Sequence, residues 1–202
     1  KRQPAKLAAM EAHFHTEKAA PLIIGGIPDE KTQTVKYALK IPGLLSFMAH
    51  NDFNAEVKGL DSIPPENHPP VTVTHYAFQV MVGLGMAMMG IALLYFLALW
   101  KRKRWLDSRW LLKLFVIATP MGFIAVEAGW TVTEVGRQPW IIHNVMRTAD
   151  AVTPMPGIIY SFYLFTAVYV SLSIIVIFML YRQIKMVGKL YDLPADPSQI
   201  KG

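Results

Sequence analysis

The sequence predicts an all-α membrane protein: three transmembrane helices that follow a mostly helical or irregular outer-face segment, the whole forming part of a larger helical bundle. Three observations predict it. Residues 76–182 hold three apolar runs, each near or above the roughly 20 residues needed to cross a bilayer. The runs at about 76–100 and 157–181 contain no Asp, Glu, Lys or Arg. Basic residues gather between the runs, and all five Trp fall near run ends, as an interfacial aromatic belt places them.

The elements follow in order. Residues 1–75 are polar, with His, Pro and Lys scattered through them. Residues 5–17 favour helix, with Leu7, Met10 and Phe14 at i, i+3, i+7 forming an apolar stripe. Gly25, Gly26 and Pro28 mark turns. Residues 35–50 hold room for a second short helix, interrupted at Pro42-Gly43. Pro64-Pro65 and Pro69-Pro70 make an irregular approach to the first span, about 76–100, which is rich in Gly and Met. The second span covers about 110–130, and Pro120 should kink it. An outer loop, 131–156, leads to the third span at about 157–181, and 183–202 form a tail.

Charge orients the spans. The 101–113 region carries Lys101, Arg102, Lys103, Arg104, Arg109 and Lys113 against Asp107. The region after the third span carries Arg182, Lys185 and Lys189. Both regions are expected in the cytoplasm, with 1–75 and 131–156 together on the outer face of the membrane. The formal charge of +6 is thereby accounted for without a nucleic-acid partner. The absence of cysteine excludes disulfides, thiolate metal sites and covalent haem attachment through thioethers. The chain opens Lys-Arg-Gln-Pro, which leads to the expectation that it starts inside a longer protein.

Three constellations bear chemistry. Glu127, Trp130 and Glu134 are spaced i, i+3, i+7 and share one face if the second helix continues past Trp130. Arg137 follows and Pro139 should end the helix nearby. An ionisable group at membrane depth costs a few kcal/mol and is functional by default. The plainer alternative is an interfacial helix end with a Glu–Arg pair and a Trp anchor. Met81 offers a thioether, a known haem-iron ligand; taken alone it is one of four Met in its span and fits ordinary packing. Lys6 and Glu11 pair an ammonium with a carboxylate, yet at i, i+5 they diverge by about 140° on an ideal helix. His13, His15, His50, His68, His75 and His143 read as solvated or structural.

The stretch Gly129-Trp130-Thr131-Val132-Thr133-Glu134-Val135-Gly136-Arg137-Gln138-Pro139-Trp140 closely resembles the GWxxxExGRQPW signature of subunit I of the cytochrome bd-type quinol oxidases. Tyr76-Ala-Phe-Gln-Val-Met81-Val-Gly-Leu-Gly-Met86 resembles that family's F-R-x-M-V-x-x-G stretch, and Lys6-Leu-Ala-Ala-Met-Glu11 resembles its quinol-binding Q-loop. The resemblance runs in order from Lys6 to about Arg182, which corresponds to the C-terminal half of the subunit with a shortened Q-loop. It implies Met81 as axial ligand of a low-spin haem b and Glu134 as axial ligand of a high-spin haem b. Trp130 would lie among the haems, and Arg137 would pair with a haem propionate. Lys6 and Glu11 would be the quinol-site residues. Gln79 would lie near the low-spin haem, where many members carry Arg. Glu127 matches the family's AVEAGW sequence.

The implied activity is oxidation of membrane quinol and reduction of O2 to water through the two haems b and a haem d, or a further haem b, generating a proton motive force. The implied partners are the N-terminal part of subunit I with its haem-ligating His, subunit II and small single-span subunits. Two other classes stay open on the residues: a bd-like quinol oxidoreductase that does not reduce O2, and a non-redox transporter or structural module using the Glu127–Glu134 stripe.

Overall fold

The computed structural model describes residues 3–101, 108–152 and 154–191. The chain divides into two units, Lys1–Val152 and Thr153–Gly202. Among the described residues three helices are long and apolar enough to cross a membrane.

The first unit opens with α1, Pro4–Met10, started by a proline whose missing N–H costs nothing at the first helical position. The helix expected over 5–17 stops at Met10. Ala12 turns left-handed (φ 47°). The His13 N–H then bonds the Ala8 carbonyl at 2.8 Å and the Ala12 N–H that of Ala9 at 3.3 Å. This is a Schellman stop with alanine where glycine is usual. Phe14, placed on the helical stripe by the sequence, lies beyond the stop and joins Ala8, Ala9, Ala12, Leu60 and Val71 in a small core.

Three short antiparallel pairs follow, nested one inside the next. β1 (Glu17–Lys18) pairs with β6 (Glu56–Val57). Inside it β2 (Leu22–Ile24) pairs with β5 (Leu39–Ile41). Innermost, β3 (Ile27–Asp29) pairs with β4 (Thr34–Lys36). The break at Pro42-Gly43 is present: the strands lie before it and α2, Leu44–His50, after it. Ser46 ties the outer pair to α2, accepting from the Ala20 N–H at 2.8 Å and donating to the Ala55 carbonyl at 2.7 Å.

α3 spans Val71–Lys101, beginning five residues before the expected boundary. One donor of its first turn is satisfied from outside: the Glu30 carboxylate, at the tip of the β3–β4 hairpin, accepts from the Thr72 N–H at 3.0 Å and from its hydroxyl at 2.9 Å. α4 covers Arg109–Val135 and runs through Pro120 as one helix. It packs along α3, with Tyr95 and Phe115 edge to face at 5.7 Å. Beyond α4 a hairpin of β7 (Trp140–Ile142) and β8 (Met146–Arg147) closes the unit. The Arg147 guanidinium stacks over Trp140 at 5.0 Å and donates to Asn67 at 3.0 Å.

The second unit contributes α5, Ile158–Tyr191, which extends ten residues past the expected end of the third span. Its Thr166, Ser171 and Ser173 hydroxyls donate to carbonyls four residues back, so these three protons do not face lipid unbonded. The basic residues Arg102, Lys103 and Arg104, Asp107 and the tail from 192 onward lie outside the described residues.

Candidate functional site

Of the sequence-predicted residues, Lys6, Glu134 and Arg137 come together where α1 lies against the end of α4. α4 continues five residues past Trp130, so Glu127, Trp130 and Glu134 do share one helix, at the spacing of one face. That face is open in this chain: Trp130 is 70% exposed and the Glu134 side chain 67%. The only charge paired with Glu134 among the described residues is Arg137, whose guanidinium stands 3.9 Å away. Such a contact leaves the carboxylate oxygens free to accept or to ligate.

α4 ends at Gly136, and the glycine matters. A Cβ there would stand 3.1 Å from the Thr74 Cγ2 and 3.3 Å from the Lys6 Cγ. Its absence lets the Lys6 stem cross the end of α4. Burial lowers the Lys6 ammonium from its ordinary value first; the Arg137 charge lowers it further, and Glu134 opposes both. Lys6, Glu134 and Arg137 thus act on one another electrostatically although 128 and 131 residues separate Lys6 from the other two.

Glu11 occupies the other side of the α1 stop. It is 3% exposed, and its Oε2 has no hydrogen-bond partner among the described residues. Burial without a compensating donor penalises the charged form, which pushes the carboxyl up to about 7. A carboxyl there exchanges protons near neutrality, as a general base must. The Lys6 stem lies against the end of α4, while Glu11 is the C-cap just beyond the last helical residue of α1.

Met81 is half-buried at the seam between α3 and α4, with its sulfur 3.1 Å from where a Gly129 Cβ would sit. Met86 and Met89 are both 59% exposed. Gln79 is engaged by the loop: its amide donates to the Ile23 carbonyl at 2.9 Å and accepts from the Gly25 N–H at 3.1 Å.

Of the six His, His15 and His50 are exposed, and His68 sits by the Leu60 and Ile63 carbonyls at 3.0 and 2.8 Å. His143 packs edge-on to Trp140 at 6.0 Å. His13 is buried with its Nε2 at 3.3 Å from the Val57 carbonyl. His75 is fully buried with both nitrogens on carbonyls, a role no single-sequence signal marked. Among the described residues no cluster of three or more His, Cys, Asp or Glu could hold a bare metal ion. A porphyrin supplies four ligands itself, so a high-spin haem needs one further donor and a low-spin haem two, of which this chain need supply only one to each. The free Glu134 carboxylate and the Met81 thioether are donors of that kind.

The family described as cytochrome bd terminal oxidase subunit I matches over residues 1–187. A Bacillus subtilis (strain 168) protein provisionally named a cytochrome bd menaquinol oxidase subunit I is 39% identical over 180 residues, covering 88% of this chain and 40% of the relative. The cytochrome bd ubiquinol oxidase subunit 1 of the same organism is 33% identical over 197 residues, covering 91% and 42%. The solved bd oxidase of Geobacillus thermodenitrificans is similar with a TM-score of 0.80 and 42% identity, covering 92% of this chain and 43% of that one. The chain spans about 40% of the length of the curated relatives it matches. With the signature at the end of α4, the membrane-spanning helices and these similarities together, the chain belongs to the cytochrome bd terminal oxidase subunit I family.

Proposed function

We propose that this chain forms the quinol-side, C-terminal part of subunit I in a terminal oxidase that oxidises membrane quinol and reduces O2 to water. The observation that carries the reading is the crossing of Lys6 over the end of α4, within electrostatic reach of Glu134 and Arg137. It supports the reading because Lys6, one of the two residues proposed for quinol, comes near Glu134 and Arg137, two of those proposed for haem. Glu11, buried and unpartnered among the described residues, takes a hydroxyl proton from the quinol, and Lys6 holds an oxygen of the ring. Met81 would hold a low-spin haem b and Glu134 a high-spin haem b, with Arg137 suited to pair with a propionate and Trp130 to lie beside the haems. Bound haem supplies the one-electron chemistry that leads electrons to O2. Gln79 holds the loop to α3 at the quinol side of the low-spin site.

The open Glu127–Trp130–Glu134 face supports the partner assignment. A carboxylate stripe at membrane depth needs cover. Haem and the haem-ligating N-terminal part of subunit I supply it, together with subunit II and small single-span subunits. The 1–75 segment lies on the outer face of a prokaryotic plasma membrane and the C-terminus in the cytoplasm, so proton uptake from the cytoplasm makes turnover electrogenic. The complex purified with its partners, assayed by pyridine haemochrome and an oxygen electrode, should contain two haems b and a third haem, d or b, and consume O2 with quinol. A haem-free complex, or a haem-loaded one that oxidises quinol without consuming O2, would refute the reading.

A further inference from the structure

We propose that His75 is a positioning residue of the quinol site, tying the C-terminal end of α1 and the Gly25 turn to the first turns of α3. The inference rests on the quinol reading of Lys6 and Glu11. α1 has seven residues, too few to hold a helix alone in water. Its place has to be imposed by contacts. One is the Lys6 stem over Gly136. The other end depends on His75. The Met10 carbonyl belongs to the last turn of α1 and lacks an intrahelical donor. The His75 Nδ1 lies 2.9 Å from it, across 65 residues of chain. The His75 Nε2 lies 3.2 Å from the Gly25 carbonyl, across 50 residues. Carbonyls only accept, so the neutral ring donates one of these bonds and the doubly protonated ring both.

One turn further along the same face of α3, Gln79 takes the Gly25 N–H and the Ile23 carbonyl. Both backbone groups of Gly25 are therefore held by α3, and so is the residue that precedes Glu11. His75 is six positions before Met81, on the same unbroken helix. The ring thus fixes the proton-accepting carboxyl relative to the helix that carries the electron-accepting side of the reaction. It touches neither quinol nor iron in this arrangement and acts through Glu11.

The test uses the complete complex and three substitutions. His75→Asn keeps an N–H near the Nδ1 position, His75→Gln keeps one near the Nε2 position, and His75→Phe keeps only the ring. The KM for a soluble quinol should rise about tenfold in His75→Phe, a loss of about 1.4 kcal/mol, with kcat and haem absorption close to wild type. His75→Asn should restore most of the KM and His75→Gln much less. Hydrogen exchange should quicken at the Glu11–His13 amides in the Phe and Gln variants and stay slow in Asn. A wild-type KM in His75→Phe, or equal losses of KM, kcat and haem in all three, would overturn the proposal. If the Phe variant does not assemble, an Asn variant no better than Gln overturns it as well. Unimpaired quinol oxidation in Glu11→Gln would sink the quinol reading separately, because the exchange pattern does not depend on which substrate binds.

Discussion

Replacing Glu11 by Gln should remove catalysis and a stability penalty together. The carboxyl is buried, one of its oxygens is unpartnered among the described residues, and its value is raised from 4.5 to about 7. Below pH 4.5 it is protonated in folded and unfolded chains alike, and the penalty is nil. The penalty develops as pH rises from 4.5 through 7 and levels off above. At about 1.4 kcal/mol per unit, the full cost of ionising it in place is about 3 kcal/mol, of which about 2.5 kcal/mol accrues between pH 5 and 8. An amide at the same site does not ionise, though its unbonded N–H costs about 1–3 kcal/mol at every pH. The slope is therefore the sensitive quantity. Melting of the purified complex, followed from pH 5 to 8, should show wild type losing about 2.5 kcal/mol relative to Glu11→Gln. Quinol-driven oxygen uptake should fall about a hundredfold or more, the range for loss of a general base, and the limb of the pH–rate profile near 7 should vanish. Parallel stability curves, or an unchanged limb, would refute the assignment of Glu11 as a buried base.

Met81→Leu should keep the fold, since volume and polarity barely change, but convert the low-spin haem to high spin or abolish it; Met86→Leu, at an exposed position, should do neither, as optical spectra of the two complexes will show. Glu134→Ala should remove or scramble the high-spin haem b and cripple oxygen reduction while the Met81 haem stays reducible by quinol; full oxidase activity with all haems retained would disprove the site. Lys6→Leu should impair quinol oxidation with haem content intact, and uptake driven by an artificial one-electron donor should survive better than quinol-driven turnover. Loss of haem in that variant would assign Lys6 to the fold through its packing on Gly136.

The spans were legible because a run of apolar residues longer than a bilayer has few other physical uses. Their ends were less so. Thr131, Val132, Thr133 and Val135 are weak helix formers, and only the capping of α4 at Gly136 shows that the helix carries Glu134. In the outer segment, strands of two or three residues are too short to display alternation, so the pairs went unread and the stretch before Pro42-Gly43, expected to be helical from 35, is strand instead. The stop of α1 was hidden because its left-handed residue is Ala12 rather than Gly. The proposed site residues stand in local motifs, but the contacts that bring Lys6 to the end of α4 leave no mark in the sequence. Nothing near Lys6 in sequence announces Gly136, and nothing near His75 announces Met10 or Gly25.

The nesting of the three strand pairs has a kinetic consequence. The register Pro28–Val35 closes the shortest loop, and the register Ile23–Lys40 then adds only a few residues on each arm. Direct closure between Glu17 and Val57 would instead have to confine the whole intervening chain at once, and closure entropy rises with the length so confined. The segment can therefore zip outward from its tip in steps, before or while the helices insert. Within it, the long stretch outside the strand pairs is the arm from Pro42 to Ala55, which carries α2. Extra residues added there would lengthen one arm and leave every register inside it unchanged, which makes that arm the place where the loop can grow or shrink without refolding.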